Sequence, residues 1–282
     1  MTAMAESGTP DLSLNSGDFR RLSRFINATS GIKMSAAKKA MVEGRLRRRV
    51  RSLGFDGFEA YCRFVFDDGG LEQEGVHFID AVTTNKTDFF REPQHFEYLA
   101  ERVLPALAGQ GRPARLWSAA CSTGAEPYTM AIVASEFARR HPDFDYEILA
   151  TDLSTEVLRV AVTAIYPEDM ARPVPVELRR RSLLRSRDRA ARQVRIAPEL
   201  RRKVRFQHLN LMDETYPVNG PFDVIFCRNV LIYFDRPTQA AVLSHLCRHL
   251  CPGGHLFIGH SETVIDLRLP LRPVAPTVFA RV

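Results

Sequence analysis

The chain has 282 residues, of which 45% are hydrophobic and 26% are charged, a composition typical of a globular protein with one large or two modest domains. No apolar run reaches the roughly 18 residues of a membrane-spanning helix, and the polar, acidic start lacks the features of a signal peptide. Both absences predict a cytoplasmic protein without membrane insertion. Five cysteines in this length do not make the framework of a disulfide-rich domain.

The net charge of +6 is unevenly distributed. Residues 20–51 contain eleven Lys/Arg and one acid, and residues 172–205 contain thirteen Lys/Arg and three acids, so each segment carries +10 and the rest of the chain −14. Two concentrated basic segments predict an acidic partner. Nucleic acid, an anionic membrane surface and an acidic protein all remain candidates at this point.

The first third of the chain has the apolar spacing of helices. Residues 1–17 are predicted to be a disordered lead, and residues 18–84 a small all-helical domain. The predicted helices start with apolar residues at helical spacing in Phe19, Leu22, Phe25 and Ile26, and continue with Ser35–Leu53, Phe58–Phe66 and Leu71–Val82. Ser35 is the predicted N-cap of the second of these helices, because serine readily accepts a hydrogen bond from the first turn.

Residues 85–114 are predicted to be a linker and a helix, and residues 115–282 an α/β domain in which strands and helices alternate. The predicted strands are Leu116–Ala120, Tyr146–Asp152, Phe222–Cys227 and His255–Gly259, and the predicted helices are Tyr128–Arg140, one after Ser154, and Pro237–Leu250. Alternation implies a mostly parallel sheet that is covered on both faces. The basic segment of about 167–206 interrupts it and is predicted to be an insertion, with small strands near Val194 and Val204.

The turn after the first strand, Cys121–Pro127, should approach a ligand, because ligands of open α/β sheets bind beyond the carboxyl ends of the strands. It has one glycine, Gly124, and lacks both the dinucleotide fingerprint and the phosphate loop, which disfavours NAD and nucleoside triphosphates. Asp152 ends the next strand and could bridge two ribose hydroxyls, while Glu126 could meet an ammonium group. Ribose without pyrophosphate is what S-adenosylmethionine presents. The competing interpretations are a plain turn cap for Asp152 and a solvated acid for Glu126.

One cluster of metal-ligand residue types occurs near the end of the chain. On a helix, His245 and His249 would share one face, and Cys247 and Cys251 would lie on the other side of the axis. All four cannot reach one tetrahedral zinc ion. No metal site is predicted.

Four segments together carry a family resemblance: Thr83–Arg91, Trp117–Tyr128, Cys227–Asp235 and Gly259–Glu262. In this order, over about residues 18–282, the chain resembles the chemotaxis receptor methyltransferase family, CheR. The resemblance implies a helical N-terminal domain followed by a Rossmann-like methyltransferase domain with a small inserted β-subdomain. It also implies transfer of a methyl group from S-adenosylmethionine to glutamate side chains on the cytoplasmic helices of chemoreceptors, which forms methyl esters for sensory adaptation.

The resemblance further assigns the site. It implies cofactor contacts from Asn85, Thr87, Arg91, Glu126, Asp152, Asn210, Leu211, Arg228 and Asn229. Tyr233 is implied to lie near the transferred methyl group, so Arg91 and Tyr233 are the candidate catalytic residues, which would position cofactor and substrate. The competing interpretations are a core aromatic for Tyr233, a solvated cation for Arg228, and ordinary turn residues for Asn85 and Thr87.

The partner is predicted to be a Glu-rich receptor helix that meets the basic surface 20–51 and possibly 172–205. Some family members dock a receptor C-terminal peptide on a glycine-containing hairpin, whereas Ser186–Gln193 has no glycine, so the resemblance does not extend to peptide docking. A nucleic-acid methyltransferase is disfavoured because the Asp/Asn-Pro-Pro-aromatic motif of amino-methylating DNA enzymes is missing after the third strand. A non-catalytic cofactor sensor is the other alternative. A monomer is predicted.

Overall fold

The computed structural model describes residues 13–264 and 267–282. The chain divides into two units, the first ending at Thr83 and the second beginning at Thr84. No helix within these described ranges is both long and apolar enough to cross a membrane. Most of the lead predicted to be disordered, residues 1–12, lies outside the described ranges. For residues 14–17 the prediction is wrong, because Leu14 is fully buried and Asn15 caps a helix that begins at Ser16.

The first unit is built from helices that each bury one apolar face. Its described α-helices are α1 (Ser16–Ser30), α2 (Lys39–Ser52), α3 (Phe58–Phe66) and α4 (Leu71–Val82). The last two have the predicted bounds. Leu22, Val42 and Phe78 are fully buried side chains of α1, α2 and α4. Apolar residues at helical spacing therefore form the core of this unit.

The helix predicted for Ser35–Leu53 begins differently. Ser35 precedes a 3₁₀ turn, Ala36–Lys38, and its side chain makes no capping hydrogen bond. The α-helix proper starts at Lys39, so a single α-helix capped by Ser35 is wrong. Short 3₁₀ turns are frequent at the start of α-helices, and the serine pattern alone does not distinguish the two.

The second unit contains two sheets. Its described strands are β1 (Ala114–Ser118), β2 (Tyr146–Asp152), β3 (Ile165–Pro167), β4 (Leu183–Arg185), β5 (Gln193–Ile196), β6 (Val204–His208), β7 (Phe222–Cys227), β8 (Leu250–Ile258), β9 (Leu271–Ala275) and β10 (Val278–Arg281). The main sheet has the order β6-β2-β1-β7-β8-β10-β9. Strands β6, β2, β1, β7 and β8 run parallel to one another. Strands β10 and β9 are added antiparallel at one edge. The mostly parallel sheet is confirmed.

Helices cover both faces of the main sheet. The described α-helices of this unit are α5 (Pro93–Tyr98), α6 (Leu104–Leu107), α7 (Ala125–Arg140), α8 (Thr155–Thr163), α9 (Val176–Ser182), α10 (Pro198–Arg201) and α11 (Arg236–His249). Leu116 of β1 belongs to one core together with Phe96 and Ala131, whereas its neighbour Trp117 belongs to a second core together with Leu243. Successive strand residues thus point to opposite faces, as strand geometry requires.

The insertion is smaller than predicted. The second sheet has the order β3-β5-β4, with all pairs antiparallel, so the predicted strand near Val194 lies in it. The strand near Val204 does not, because β6 pairs with β2 at the edge of the main sheet. The strand predicted for His255–Gly259 begins earlier, since β8 runs from Leu250 to Ile258. Its pairing with β7 shifts register, because Phe222 pairs with Leu250 and Val224 with His255, and Gly253 and Gly254 lie in the irregular stretch between these two partners.

Candidate functional site

The carboxyl ends of four parallel strands meet at one edge of the main sheet. The turn after β1, the acid at the end of β2, and the segments after β6 and β7 all emerge there. These are the positions of Glu126, Asp152, Asn210 and Arg228. This edge is the usual ligand-binding edge of an open α/β sheet, so the topology brings the predicted site residues to one place.

The turn after β1 has two residues with left-handed backbone, Ser122 with φ of 49° and Gly124 with φ of 92°. The backbone N–H of Ser122 donates to Oδ2 of Asp152 at 2.7 Å, and its hydroxyl donates to the carbonyl of Asn85 at 2.9 Å. Oδ1 of Asp152 accepts the N–H of Ser154 at 2.9 Å. The cap interpretation of Asp152 is therefore correct, and a further role toward a ribose stays a prediction. Ser122 connects three of the predicted segments.

Arg228 is a buried cation, with 1% of its side chain exposed, so the solvated interpretation is wrong. Its guanidinium lies between two carboxylates: Nη2 donates to Glu92 Oε2 at 2.9 Å and Nη1 to Glu126 Oε2 at 3.2 Å. Nη2 also donates to the carbonyl of Arg91. The guanidinium carbon lies 5.4 Å from the ring centroid of Phe96, a cation–π distance. Arg228 thus ties the end of β7 to the segment 91–92 and to α7.

The pKa values of the two carboxylates beside Arg228 are shifted in opposite directions. Burial raises the pKa of Glu92, but the hydrogen bond from Asn229 and the charge of Arg228 outweigh burial and hold this pKa at about 2. Burial raises the pKa of Glu126 above its ordinary value, although Arg228 and the Ser118 hydroxyl oppose the rise. Only 12% of the Glu126 side chain is exposed, so it is not a solvated acid. Two largely buried acids share one guanidinium, and a bound cation would stabilise the ionised form of Glu126.

The remaining predicted residues lie along the same edge. Asn229 has left-handed backbone, with φ of 58°, and its side-chain amide donates to Glu92 Oε1 at 3.1 Å. Asn210 Oδ1 accepts the N–H of Met212 at 3.0 Å, and Leu211 is buried. Thr87 is half-buried in the segment that precedes Arg91.

The two candidate catalytic side chains are partly exposed. Arg91 is half-buried, and its guanidinium donates to the carbonyl of Lys86 at 3.0 Å. Tyr233 is half-buried on a 3₁₀ turn, Leu231–Tyr233, that follows β7, and it packs against the second core at its margin, so its role toward the methyl group stays a prediction. Both residues retain surface that a ligand could contact.

Sequence reasoning missed Glu92, which pairs with both Arg228 and Asn229. The one indication in the sequence was that Glu92 directly follows Arg91, the last residue of the segment Thr83–Arg91 that carries the family resemblance. Glu92 also lies near His95 and His260, with potential metal-ligand atoms within 4.8 Å of one another. The oxygen of Glu92 that faces both histidines already accepts from Arg228, so we assign no metal role to this cluster. In the His/Cys group near the end of the chain, Cys251 lies on β8 rather than on the helix that carries His245, Cys247 and His249.

Comparison with known proteins decides the family. The family model described as "CheR methyltransferase, SAM binding domain" matches residues 85–278, and "CheR methyltransferase, all-alpha domain" matches residues 17–83. The chain belongs to the CheR methyltransferase family. It is therefore an S-adenosylmethionine-dependent methyltransferase, in which a helical domain precedes a Rossmann-like catalytic domain with a small inserted sheet.

Individual CheR relatives extend over nearly the whole chain. The chemotaxis protein methyltransferase of Klebsiella aerogenes is 41% identical over 270 residues, which are 93% of this chain and 90% of the relative. Chemotaxis protein methyltransferase 2 of Pseudomonas aeruginosa is 38% identical and covers 93% of this chain and 92% of its own length. The chemotaxis protein methyltransferase of Escherichia coli is 37% identical, with 99% and 96% covered.

Proposed function

We propose that this protein transfers a methyl group from S-adenosylmethionine to glutamate side chains on the cytoplasmic helices of chemoreceptors, forming glutamyl methyl esters for sensory adaptation. The observation that carries the proposal is the pair of largely but not fully buried acids, Glu92 and Glu126, around the cation Arg228 at the ligand edge of a CheR-family domain. Full-length similarity to proteins named chemotaxis protein methyltransferase supports it. We further infer a cytoplasmic monomer that does not act on nucleic acid.

The chemistry of the donor set fits S-adenosylmethionine. With Glu92 and Glu126 both ionised around one guanidinium, the group carries one negative charge, which suits a ligand that carries ammonium and sulfonium cations. Glu126 would face the ammonium group, and Asp152 would accept from the ribose. Asn85, Thr87, Asn210, Leu211 and Asn229 would complete the contacts by virtue of their positions along the same edge.

The reaction requires little of the protein beyond positioning. When bound, S-adenosylmethionine supplies a methyl group that its sulfonium makes electrophilic. A glutamate side chain, with an ordinary pKa near about 4.3, is already ionised at neutral pH and needs no general base. Alignment of the reacting atoms can contribute roughly 7–11 kcal/mol to lowering the barrier. We assign this task to Arg91 and Tyr233, which would orient the incoming carboxylate and exclude water.

The basic segment 20–51 is only partly available to a partner. Arg49 and Arg45 have internal roles, since Arg49 pairs with the buried Glu74 at 2.7 Å and Arg45 donates to the carbonyl of Thr83 at 2.8 Å. Among the described lysines and arginines of this segment, those whose side chains have no hydrogen-bond or ion-pair partner are Arg20, Arg24, Lys39, Arg48 and Arg51. We propose that these residues meet the acidic receptor helix.

The basic segment 172–205 is a weaker candidate for the receptor surface. Much of its charge is neutralised locally by acids. Its ion pairs among the described residues are Arg172–Asp169, Arg180–Glu177, Arg181–Glu136, Arg185–Glu168, Arg192–Asp169 and Lys203–Asp145. Internal pairing leaves less charge for a partner, so we regard this segment as a secondary contact.

Methyl transfer to receptors tests the proposal directly. We expect the protein to transfer tritiated methyl groups from S-adenosylmethionine to membranes that contain chemoreceptors, in a form released by mild base, because glutamyl methyl esters are base-labile. An Asp152→Ala variant serves as the control with impaired cofactor binding. Cofactor binding without any incorporation would instead favour a sensor, and label on added DNA or RNA would favour a nucleic-acid enzyme.

Charge reversal on the first unit tests the receptor surface. We expect Arg48→Glu with Arg51→Glu to raise the KM for receptor membranes about tenfold, with kcat and the KM for S-adenosylmethionine unchanged, because surface charges mainly steer association. The defect should diminish at high salt. Arg102→Glu with Arg159→Glu reverses two exposed charges of the second unit as a matched control. An equal rise in the control would show that net charge, not this surface, is responsible.

A further inference from the structure

Tyr166 connects the small inserted sheet to the turn after β1. It lies in the middle of β3 and is 1% exposed. Its hydroxyl donates to the backbone carbonyl of Thr123 at 2.7 Å. Thr123 lies in the turn after β1, Cys121–Pro127, which is the proposed cofactor turn. A residue of the inserted sheet therefore holds the backbone of the cofactor turn.

The backbone of the turn at Gly124 packs directly against the Tyr166 hydroxyl, with no room for a side chain between them. Gly124 has a φ of 92°, and a Cβ placed on it would lie 2.9 Å from the Tyr166 hydroxyl and 2.9 Å from Ala161 Cβ. Side chains rarely tolerate either that φ or that distance, so glycine is required here. The close approach lets the tyrosine hydroxyl reach the carbonyl of the residue before the glycine.

The ring of Tyr166 makes two further contacts. It packs edge-to-face on Phe89, with centroids 5.1 Å apart, and on Tyr128 of α7 at 6.4 Å. Phe89 is fully buried in the segment that also contains Arg91. Across the sheet, Tyr166 pairs with the buried Val194 of β5. One side chain thus touches the inserted sheet, the segment 85–91 and the cofactor turn.

We propose that Tyr166 is a positioning residue that sets the conformation of the cofactor turn and couples the inserted sheet to cofactor affinity. The insertion then has a role within the chain that does not depend on peptide docking. The inference relies on the proposed location of the cofactor at this turn. Because coupling between two sites is reciprocal, order in the inserted sheet and occupancy of the cofactor site should stabilise each other.

A conservative pair of variants tests the positioning role. Tyr166→Phe removes the hydrogen bond to the turn and keeps the ring. Tyr146→Phe is the matched control, because the Tyr146 hydroxyl also donates to a buried backbone carbonyl, that of Ala131 at 3.0 Å, but at the start of β2. Tyr146 and Asp152 are six positions apart, which is about 20 Å along the strand. Both variants should lose similar thermal stability.

Only Tyr166→Phe should weaken binding of S-adenosylhomocysteine, by about three- to tenfold in calorimetry, as expected for one lost neutral hydrogen bond. Unchanged affinity in Tyr166→Phe, or equal weakening in Tyr146→Phe, would overturn the positioning role. Methyl transfer to receptors is not part of this measurement, so failure of the proposed substrate would leave its result intact.

Hydrogen exchange tests the coupling. In the wild-type protein, saturating S-adenosylhomocysteine should slow amide exchange in residues 183–196, which form β4, β5 and their connection. The protection should be largely lost in Tyr166→Phe at equal occupancy of the site, and kept in Tyr146→Phe. Exchange in 183–196 that does not respond to the ligand in wild-type protein would overturn the coupling.

Discussion

Replacing Arg228 by methionine should abolish cofactor binding and lower the free energy of unfolding of the second unit by about 3–5 kcal/mol. Methionine can fill much of the space beside Phe96 and Phe226, so the loss is electrostatic rather than a cavity effect. Glu92 and Glu126 would remain as largely buried carboxylates without their cation. The same substitution frees the carbonyl of Arg91 and thereby loosens the segment that carries a candidate catalytic residue.

Urea unfolding followed by the fluorescence of Trp117, the single tryptophan of the chain and a buried residue of β1, measures this loss. Arg139→Met is the matched control, because the Arg139 side chain is exposed and solvent screens its pair with Glu136, so its loss should change stability little. A double replacement of both acids by glutamine in the Arg228→Met background should recover much stability but no cofactor binding. A loss as small as that of the control would contradict the central role of Arg228.

The pH dependence of the same variant gives an independent check. In the wild-type protein the pKa of Glu92 is lowered to about 2, so Glu92 contributes stability at neutral pH that is lost as the pH falls toward 2. Without Arg228 both acids should have raised pKa values, because burial disfavours their charge. Their protonation would then favour the folded state at low pH. The destabilisation caused by Arg228→Met should therefore be smaller at pH 5 than at pH 7.

The local sequence pattern was sufficient to predict the bounds of several helices and strands that bury one continuous face. Phe58–Phe66, Leu71–Val82, Tyr146–Asp152 and Phe222–Cys227 have the predicted bounds, because their apolar spacing and their end signals agree. The strand at Val204 shows where this reasoning stops. Its residues suit a strand in either sheet, and the choice of β2 as partner depends on a contact between segments far apart in sequence.

The site was predictable as a set of positions but not as a network. The motifs predict Arg228 and Glu126 as site residues, yet nothing in the local sequence indicates that the guanidinium is buried between two acids. Glu92 lies 136 residues before Arg228 and has left-handed backbone with φ of 58°. Such a pairing depends on the tertiary fold. Tyr166 was missed for the same reason, because its partner Thr123 is 43 residues away.

Replacing Glu262 by alanine should be nearly as damaging as the loss of Arg228, through the backbone rather than through charge. The Glu262 carboxylate is buried and accepts N–H groups from Asn229 at 3.0 Å, from Leu231 at 2.7 Å and from Gly259. Each buried N–H left without an acceptor costs about 1–3 kcal/mol, and entering water would recover part of this cost. We expect a net loss of about 2–4 kcal/mol in the free energy of unfolding.

The effect of Glu262→Ala on catalysis follows from the position of the N–H groups that Glu262 accepts, because those of Asn229 and Leu231 lie between Arg228 and Tyr233. They fix the turn between Arg228 and Tyr233, so kcat for methyl transfer should fall at least tenfold even at temperatures where the variant remains folded. Glu262→Gln keeps one acceptor oxygen but turns an NH₂ group toward backbone donors, and it should lie between alanine and wild type. Glu101→Ala, an exposed acid of the same unit, is the control. If Glu262→Ala kept wild-type kcat while losing stability, the carboxylate would serve the fold alone, and the position of Tyr233 would have to be maintained by Leu231 packing in the core.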